Sequence, residues 1–181
     1  IGTVYLSAGL PTAAAALATP GSRVSFPQGV ASADPQPDSI LLWTRAQPLA
    51  EGDVALILQL SSSEDFEQVL VEETVSAHST ADYTVRVQID GLQPGQFYYY
   101  RFLADDGGMS RTGRTLTAPD PASTTPFRIA FASCQNYEQG YFGAWGSMLS
   151  EDEARPAAEA IQFVLHLGDF IYELYLNRAD K

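Results

Sequence analysis

The stretches FRIAFASCQ at residues 127–135 and FVLHLGDFIYE at residues 163–173 decide the fold of the second half of the chain. Both begin with a run of apolar and β-branched residues, which is typical of strands buried on both faces of a parallel sheet. The segment between them is long enough to cross over as a helix. The pattern predicts a β-α-β unit whose strands end at the same sheet edge, where ligands bind in open α/β folds.

The connection between these strands contains two candidate helices. Residues 140–149 carry large apolar side chains at spacings of three and four, which predicts a helix with one apolar face on the sheet. These side chains are Tyr141, Phe142, Trp145, Met148 and Leu149. A second, shorter helix is predicted to begin near Pro156, because proline suits a first helical turn, and to continue through Ile161.

Three potential metal ligands follow the two predicted strands. Cys134 ends the first strand, Asp169 follows the second after Gly168, and Tyr172 comes one helical turn later. A strongly charged cation binds thiolate and phenolate groups by displacing their protons. The thiolate favours a transition metal, whereas a carboxylate also suits calcium or magnesium. The sequence therefore predicts a mixed metal site at this edge, of a kind suited to hydrolysis.

Cys134 is the one cysteine in the sequence, so an internal disulfide is impossible. In an exported protein a lone thiol would be exposed to oxidants unless it were buried or bound to a metal. This favours a ligand role for Cys134. The alternative is a small core residue at a strand end, which is common for free cysteine.

Residues 22–118 have a different period, with short apolar runs separated by turn residues, which predicts a β-sandwich. The predicted strands are SILLWTR (39–45), VALILQL (54–60), YTVRVQI (83–89) and FYYYRFLAD (97–105). Alternation of polar and apolar residues at 84–89 predicts a half-buried antiparallel strand.

The turn before Tyr98 resembles that of fibronectin type III and related immunoglobulin-like domains, in which the tyrosine hydroxyl binds an upstream backbone group. Trp43 is predicted to be the buried indole of this core. An alternative hypothesis is that the tyrosines at 98–100 form a binding surface for carbohydrate or peptide. Core and cross-strand packing is the more common role of such residues. A proline-containing linker at residues 119–126 is predicted to join the two halves.

Three strings together resemble the alkaline phosphatase D (PhoD-like) family of metallophosphoesterases. They are FPQGVASADPQPDSILLWTR (26–45), FASCQNYEQGYF (131–142) and FVLHLGDFIYE (163–173). They occur in the family's order and, with the β-rich region, cover nearly the whole chain after about residue 22. The predicted fold is an all-β immunoglobulin/fibronectin III-like sandwich at 22–118, followed at 127–181 by the beginning of an α/β metallophosphoesterase domain.

The resemblance implies a secreted phosphatase and phosphodiesterase that uses a ferric ion and calcium ions to bind phosphate mono- and diesters. It also implies that Cys134, Asp169 and Tyr172 are metal ligands. Members of this family continue for hundreds of residues and supply further ligands. The chain is therefore expected to be a fragment, a nicked piece or a truncated product, whose metal centre requires the remainder of the catalytic domain or a second chain. A secreted β-sandwich binding module without activity is the alternative.

Other polar residues near the predicted sheet edge have less specific patterns. Asn136 lies in the loop after Cys134 and is a candidate for donating an amide hydrogen bond to substrate phosphate. His166 lies inside the strand and is predicted to pack against its neighbours. Glu173 is predicted to cap the next helix or, alternatively, to orient a metal ligand. His78 lies in a polar loop and is assigned no role.

The first 21 residues suggest export. They contain a short apolar run at 6–17 and then a small-x-small pattern at Ala16 and Ala18, which is typical of a signal-peptidase site. The run is too short to span a bilayer. We interpret it as a signal-peptide remnant, for which the family resemblance implies a twin-arginine leader and a secreted or periplasmic protein. A flexible tail or a first helix is the alternative.

The formal net charge of -12 over 181 residues argues against nucleic-acid or anionic-membrane partners. It also opposes phosphate binding, unless bound cations supply a positive field within the site. The alternative explanation of the acidity is that it keeps a secreted protein soluble. A hydrophobic content of 45% is sufficient for a globular core in one domain or two small ones.

Overall fold

The computed structural model describes residues 3–4, 23–156 and 159–172. The chain divides into two compact units, a first unit of Tyr5–Thr124 and a second unit of Ile1–Val4 with Thr125–Lys181. Apart from Thr3 and Val4, the predicted signal-peptide remnant lies outside the described residues, as does Glu173. No helix within the described ranges is long and apolar enough to cross a membrane.

The strands and helices are numbered in chain order. They are β1 (Thr3–Val4), β2 (Val24–Ser25), β3 (Val30–Ala33), β4 (Ser39–Arg45), β5 (Gln47–Pro48), β6 (Val54–Ser61), β7 (Val69–Ala77), β8 (Thr84–Asp90), β9 (Phe97–Ala104), β10 (Gly113–Leu116), β11 (Ile129–Ala132), α1 (Tyr137–Gly140), α2 (Gly143–Glu153) and β12 (Phe163–His166). A 3-10 turn, Ser79–Ala81, lies between β7 and β8.

The first unit is mostly β-sheet. A four-stranded antiparallel sheet has the order β10-β9-β6-β7, a three-stranded sheet has the order β3-β4-β8, and β2 pairs with β5. Alternate residues of the two larger sheets point into one shared core. Its fully buried side chains include Ile40, Leu42, Leu56, Leu58, Leu60, Ile89, Tyr100 and Phe102.

Period-two alternation explains which side chains enter this core. In β8, Val85 and Ile89 are buried and Arg86 and Gln88 are exposed, which confirms the prediction of a half-buried antiparallel strand. The prediction of Trp43 as the core indole is wrong. Trp43 is only partly buried, because Leu42 and Thr44 on either side of it take the inward positions of β4.

In the second unit, β12 lies between two partners. It runs parallel to β11, with Ile129 opposite Phe163 and Ala132 opposite His166. On its other edge it pairs antiparallel with β1. Both helices lie in the connection from β11 to β12.

The predicted helix at 140–149 differs from the structure at its amino-terminal end. Tyr141 and Phe142 have φ values of 52° and 58°, so the chain leaves α1 and begins α2 at Gly143. Both side chains are exposed, so the apolar stripe is shorter than the spacing predicted. Trp145 remains on the sheet side, where its ring stacks on His166 with centroids 6.1 Å apart.

The two faces of the β11-β12 pair differ in burial. Val164 is buried on the face contacted by Trp145, whereas Phe131 on the opposite face is 72% exposed. Within the described residues, the prediction of two strands buried on both faces is therefore wrong. The apolar composition of a strand predicts that it is buried, but it does not identify the segment that covers each face.

The second helix predicted from Pro156 is only partly described, because residues 157 and 158 lie outside the described ranges. Ala160 and Ile161 belong to no α-helix. The Ile161 backbone N–H instead donates to the Asp152 carboxylate at 2.6 Å, which ties the chain before β12 to the last turn of α2.

Candidate metal centre

The candidate site is formed by the two turns that follow β11 and β12. Three backbone bonds hold these turns together after the strands end. Leu167 N donates to Ala132 O at 2.8 Å, Cys134 N to Gly168 O at 3.0 Å and Gln135 N to Asp169 O at 3.1 Å. The residues after each strand therefore stay in register, as expected for parallel neighbours that end at one edge.

Both turns contain left-handed backbone conformations. Cys134 has a φ of 60° and Asp169 a φ of 53°, and Gly168, in the same turn as Asp169, has a φ of 144°. Positive φ is uncommon for residues other than glycine and is enriched at functional sites. Glycine suits position 168 because its φ is one that residues with a Cβ rarely adopt.

The side chains of the three predicted ligands meet at one carboxylate oxygen. Oδ2 of Asp169 lies 2.9 Å from Tyr172 Oη and 3.4 Å from Cys134 Sγ. The Cys134 side chain is exposed, so the alternative of a buried core cysteine is wrong. The structure thus brings together a thiol, a carboxyl and a phenol at an accessible edge of the sheet.

The neighbours of Tyr172 in this cluster oppose ionisation of its phenol. The hydrogen bond from Tyr172 to Asp169, and then the neighbouring Cys134, raise the pKa of the Tyr172 phenol well above its usual range. A carboxylate beside a phenol stabilises the protonated form of the phenol. A bound cation reverses this preference, because its charge favours the ionised forms of all three groups.

The donor set fits a metal that accepts sulfur and oxygen together. Thiolate suits transition metals, and carboxylate and phenolate oxygens suit highly charged ions. Among residues 3–4, 23–156 and 159–172, no group of three or more His, Cys, Asp or Glu side chains could hold a metal ion. The cluster at Asp169 combines two residues of those types with a tyrosine.

A second group of residues braces the two turns, and sequence reasoning assigned it no such role. The Gln135 side chain donates from Nε2 to Phe170 O at 2.9 Å and accepts from Trp145 Nε1 at 2.9 Å. The His166 ring packs between Trp145 and Phe170, and it meets the Phe170 ring in a T-shaped contact. The position of Gln135 directly after Cys134 was the signal available in the sequence.

The remaining candidates have defined positions. Asn136 Oδ1 caps α1 by accepting from Gln139 N at 3.3 Å, a bond that uses the carboxamide oxygen and not its NH₂ group. His166 packs against aromatic rings, as predicted for a residue inside the strand, and its ring nitrogens are buried without a hydrogen-bond partner in the described part of the chain. His78 pairs with Asp53 in the first unit.

Comparisons with known proteins match both units. The amino-terminal domain model of the PhoD-like phosphatases matches residues 12–119, and the PhoD-like phosphatase model matches residues 129–180. The amino-terminal domain model thus precedes the phosphatase model along the chain. It belongs to the PhoD-like phosphatase family.

Two relatives illustrate this membership. The chain is 38% identical over 160 residues to alkaline phosphatase D of Bacillus subtilis strain 168, a match that covers 84% of this chain and 26% of that protein. A solved structure described as the structure of PhoD is 37% identical, with a TM-score of 0.71, and covers 81% of this chain and 28% of the other. The chain thus spans about a quarter of the length of these relatives.

Proposed function

We propose that this protein takes part in the metal-dependent hydrolysis of phosphate mono- and diesters. The observation that carries the proposal is the convergence of Cys134 Sγ and Tyr172 Oη on Asp169 Oδ2, at 3.4 Å and 2.9 Å. The cluster lies at the carboxyl ends of two parallel strands, in a chain that belongs to a phosphatase family. The activity is proposed for the complete enzyme, of which the matched region is about a quarter in the relatives.

The proposed cofactors are a ferric ion and calcium. Cys134 and Tyr172 would bind the ferric ion as thiolate and phenolate, and Asp169 is placed between them to contribute a carboxylate oxygen. Bound metals would supply Lewis-acid polarisation of the phosphoryl oxygens of the ester. Further ligands are proposed to come from the remainder of the catalytic domain or from a second chain.

Residues of this chain also have a proposed part in substrate binding. The Asn136 NH₂ group is not used in the cap of α1, and it lies in the loop next to Cys134. We propose that it donates a hydrogen bond to a phosphate oxygen of the substrate. The acidic charge of the chain makes such a neutral donor insufficient without bound cations.

For the first unit, we propose an immunoglobulin/fibronectin III-like sandwich. Support comes from Tyr98, whose buried hydroxyl accepts a hydrogen bond from the Gln93 backbone N–H at 2.8 Å, as the tyrosine corner of such domains does. For localisation we propose a secreted or periplasmic protein, exported with a twin-arginine signal. This rests on family membership and on the small-x-small pattern near Ala18.

The test compares the protein expressed from its complete gene with its Asp169→Asn variant. Wild-type protein is expected to contain iron and calcium by elemental analysis and to hydrolyse bis-p-nitrophenyl phosphate and p-nitrophenyl phosphate. The variant is expected to lose bound metal and at least about 100-fold in turnover, because even outer partners of metal ligands contribute about 10–100-fold. Wild-type protein without metal or esterase activity would favour the binding module instead.

A further inference from the structure

We propose that Gln135 is a positioning residue for the candidate metal centre, and that Trp145 fixes the Gln135 side chain in the orientation this requires. The inference rests on the proposed function, because it assumes that Cys134 and Asp169 bind one metal site. It adds a residue to that site which donates no atom to the metal. Its role is to hold the Cys134 turn against the Asp169 turn.

Three hydrogen bonds converge on Gln135. Its backbone N–H donates to Asp169 O at 3.1 Å, its Nε2 donates to Phe170 O at 2.9 Å, and its Oε1 accepts from Trp145 Nε1 at 2.9 Å. An indole N–H can only donate and a backbone carbonyl can only accept. Each end of the carboxamide therefore has the partner that its chemistry requires, which fixes one orientation of the group.

These bonds lie next to the ligands in sequence. Gln135 directly follows Cys134, and Phe170 directly follows Asp169. The side-chain bond between Gln135 and Phe170 therefore joins the two turns one residue beyond each ligand. A change in the distance between Gln135 and Phe170 would move the Cys134 sulfur relative to the Asp169 carboxylate.

The turns need such a restraint because their backbone conformations are unfavourable. Cys134 and Asp169 both have positive φ values, which cost of order 1–3 kcal/mol for a non-glycine residue and persist where surrounding contacts determine them. The Cys134 and Asp169 side chains are themselves exposed. Gln135 and Trp145 are partly buried, so their hydrogen bond is better shielded from water than the bonds among the ligands.

The same strand pair offers a matched control. At its opposite end, the Gln162 side chain accepts from Arg128 N at 2.7 Å, and Gln162 N donates to Arg128 O at 2.9 Å. Gln162 is also partly buried. Gln162→Ala thus removes a similar bond between a glutamine and the neighbouring strand, but at the amino-terminal edge.

The test is metal binding by protein expressed from its complete gene, with Fe³⁺ supplied as a nitrilotriacetate chelate. The readouts are the apparent affinity in competition with the chelator, and the position of the visible charge-transfer band from thiolate and phenolate. Gln135→Ala is expected to weaken affinity about 10–100-fold and to shift the band, as loss of an orienting partner does at metal sites. Gln162→Ala is expected to leave both readouts unchanged, while it lowers the unfolding midpoint by about as much as Gln135→Ala does.

Trp145→Phe isolates the second part of the proposal, since it removes the indole donor and keeps an aromatic ring against His166. It is expected to weaken Fe³⁺ affinity in the same direction as Gln135→Ala, and the double variant is expected to be no weaker than Gln135→Ala alone. Additive losses would overturn the assignment of Trp145.

The outcomes separate the two proposals. If wild-type protein binds Fe³⁺ with a charge-transfer band and Gln135→Ala binds it equally well, the positioning role is overturned and the proposed function stands. Equal losses in Gln135→Ala and Gln162→Ala would also overturn it, because the effect would then be one of general stability. If wild-type protein binds no Fe³⁺, the proposed function fails, and the positioning role fails too because it rests on that function.

Discussion

Gly113 shows how closely the core of the first unit is packed. It lies opposite Tyr100 in the β9-β10 pair, and a Cβ built on it would lie 2.8 Å from the phenol oxygen and closer still to the ring carbons. Tyr100 is almost fully buried, and burial raises the pKa of its hydroxyl well above the usual range. A side chain at position 113 would therefore require the Tyr100 ring or the strand to shift.

We therefore predict that Gly113→Ala destabilises the first unit by about 1–3 kcal/mol, the usual cost of overpacking a core. Chemical denaturation followed by circular dichroism would measure it. Gly146→Ala is the control, because its Cβ would meet no atom within 4 Å and alanine is the better helix former. A Gly113→Ala variant as stable as wild type would mean that Tyr100 packs less tightly than described.

Tyr98 provides a second prediction at the residue scale. Tyr98→Phe removes the acceptor of the Gln93 N–H, which leaves a partly buried backbone donor without its partner. We expect a loss of about 1–3 kcal/mol in the unfolding free energy of the first unit, with unchanged esterase activity in the complete enzyme. Tyr99→Phe, on the outer face of β9, is expected to have little effect. Equal losses of activity and stability in Tyr98→Phe would contradict this assignment.

At the scale of elements, the 3-10 turn Ser79–Ala81 is held to the start of β6 by a neighbouring carboxylate. Asp53 Oδ1 accepts from Ser79 N at 3.0 Å, and Asp53 Oδ2 lies 2.8 Å from His78 Nδ1. The hydrogen bond from the Ser79 backbone, and then that from His78, lower the pKa of the Asp53 carboxyl. A lowered folded-state pKa means that this contribution to stability is present above the unfolded pKa and is lost as pH falls through the folded pKa.

The corresponding prediction concerns pH. Wild-type protein is expected to be more stable than Asp53→Ala at about pH 5, and the difference is expected to shrink as pH falls below about 4, the usual pKa of an aspartate. Unfolding midpoints of both proteins across this range would measure it. A difference that stays constant down to pH 2 would show that the carboxylate charge is not what holds the turn.

Most of the strands predicted in the first unit were predicted from the alternation of polar and apolar residues. The strings at 39–45, 54–60 and 83–89 match β4, β6 and β8 to within a residue or so, because buried and exposed residues alternate along them. The large apolar side chain of Trp43 predicts burial, but its phase in β4 places it opposite the inward-facing residues. The strand β7 was missed, because most of its side chains are exposed on both faces and no alternation marks it.

The candidate site was predictable to the extent that topology determines it. Parallel strands ending in Cys134 and Gly168-Asp169 were expected to bring these residues together. In the structure, Cys134 Sγ lies 3.4 Å from Asp169 Oδ2. The part played by Gln135 could not be derived in this way. The role of Gln135 depends on the position of Trp145 in α2. That position depends on the left-handed residues Tyr141 and Phe142, which separate α2 from α1. Such breaks have no periodic signature.

At the scale of the whole molecule, the acidic charge and the candidate metal centre are consistent with each other. A chain with a net charge of -12 would repel phosphate esters unless cations were bound where the ester binds. The second unit supplies a cluster of potential ligands for such a cation, at Asp169. The exposed face of Phe131 is a further apolar surface in the same unit.

Iron K-edge X-ray absorption on protein expressed from its complete gene tests the central claim most directly. The account predicts one sulfur atom in the coordination shell of the iron, and the loss of that sulfur in Cys134→Ser. A shell of oxygen and nitrogen atoms alone in the wild-type protein would contradict it, as would a sulfur signal that survives in Cys134→Ser.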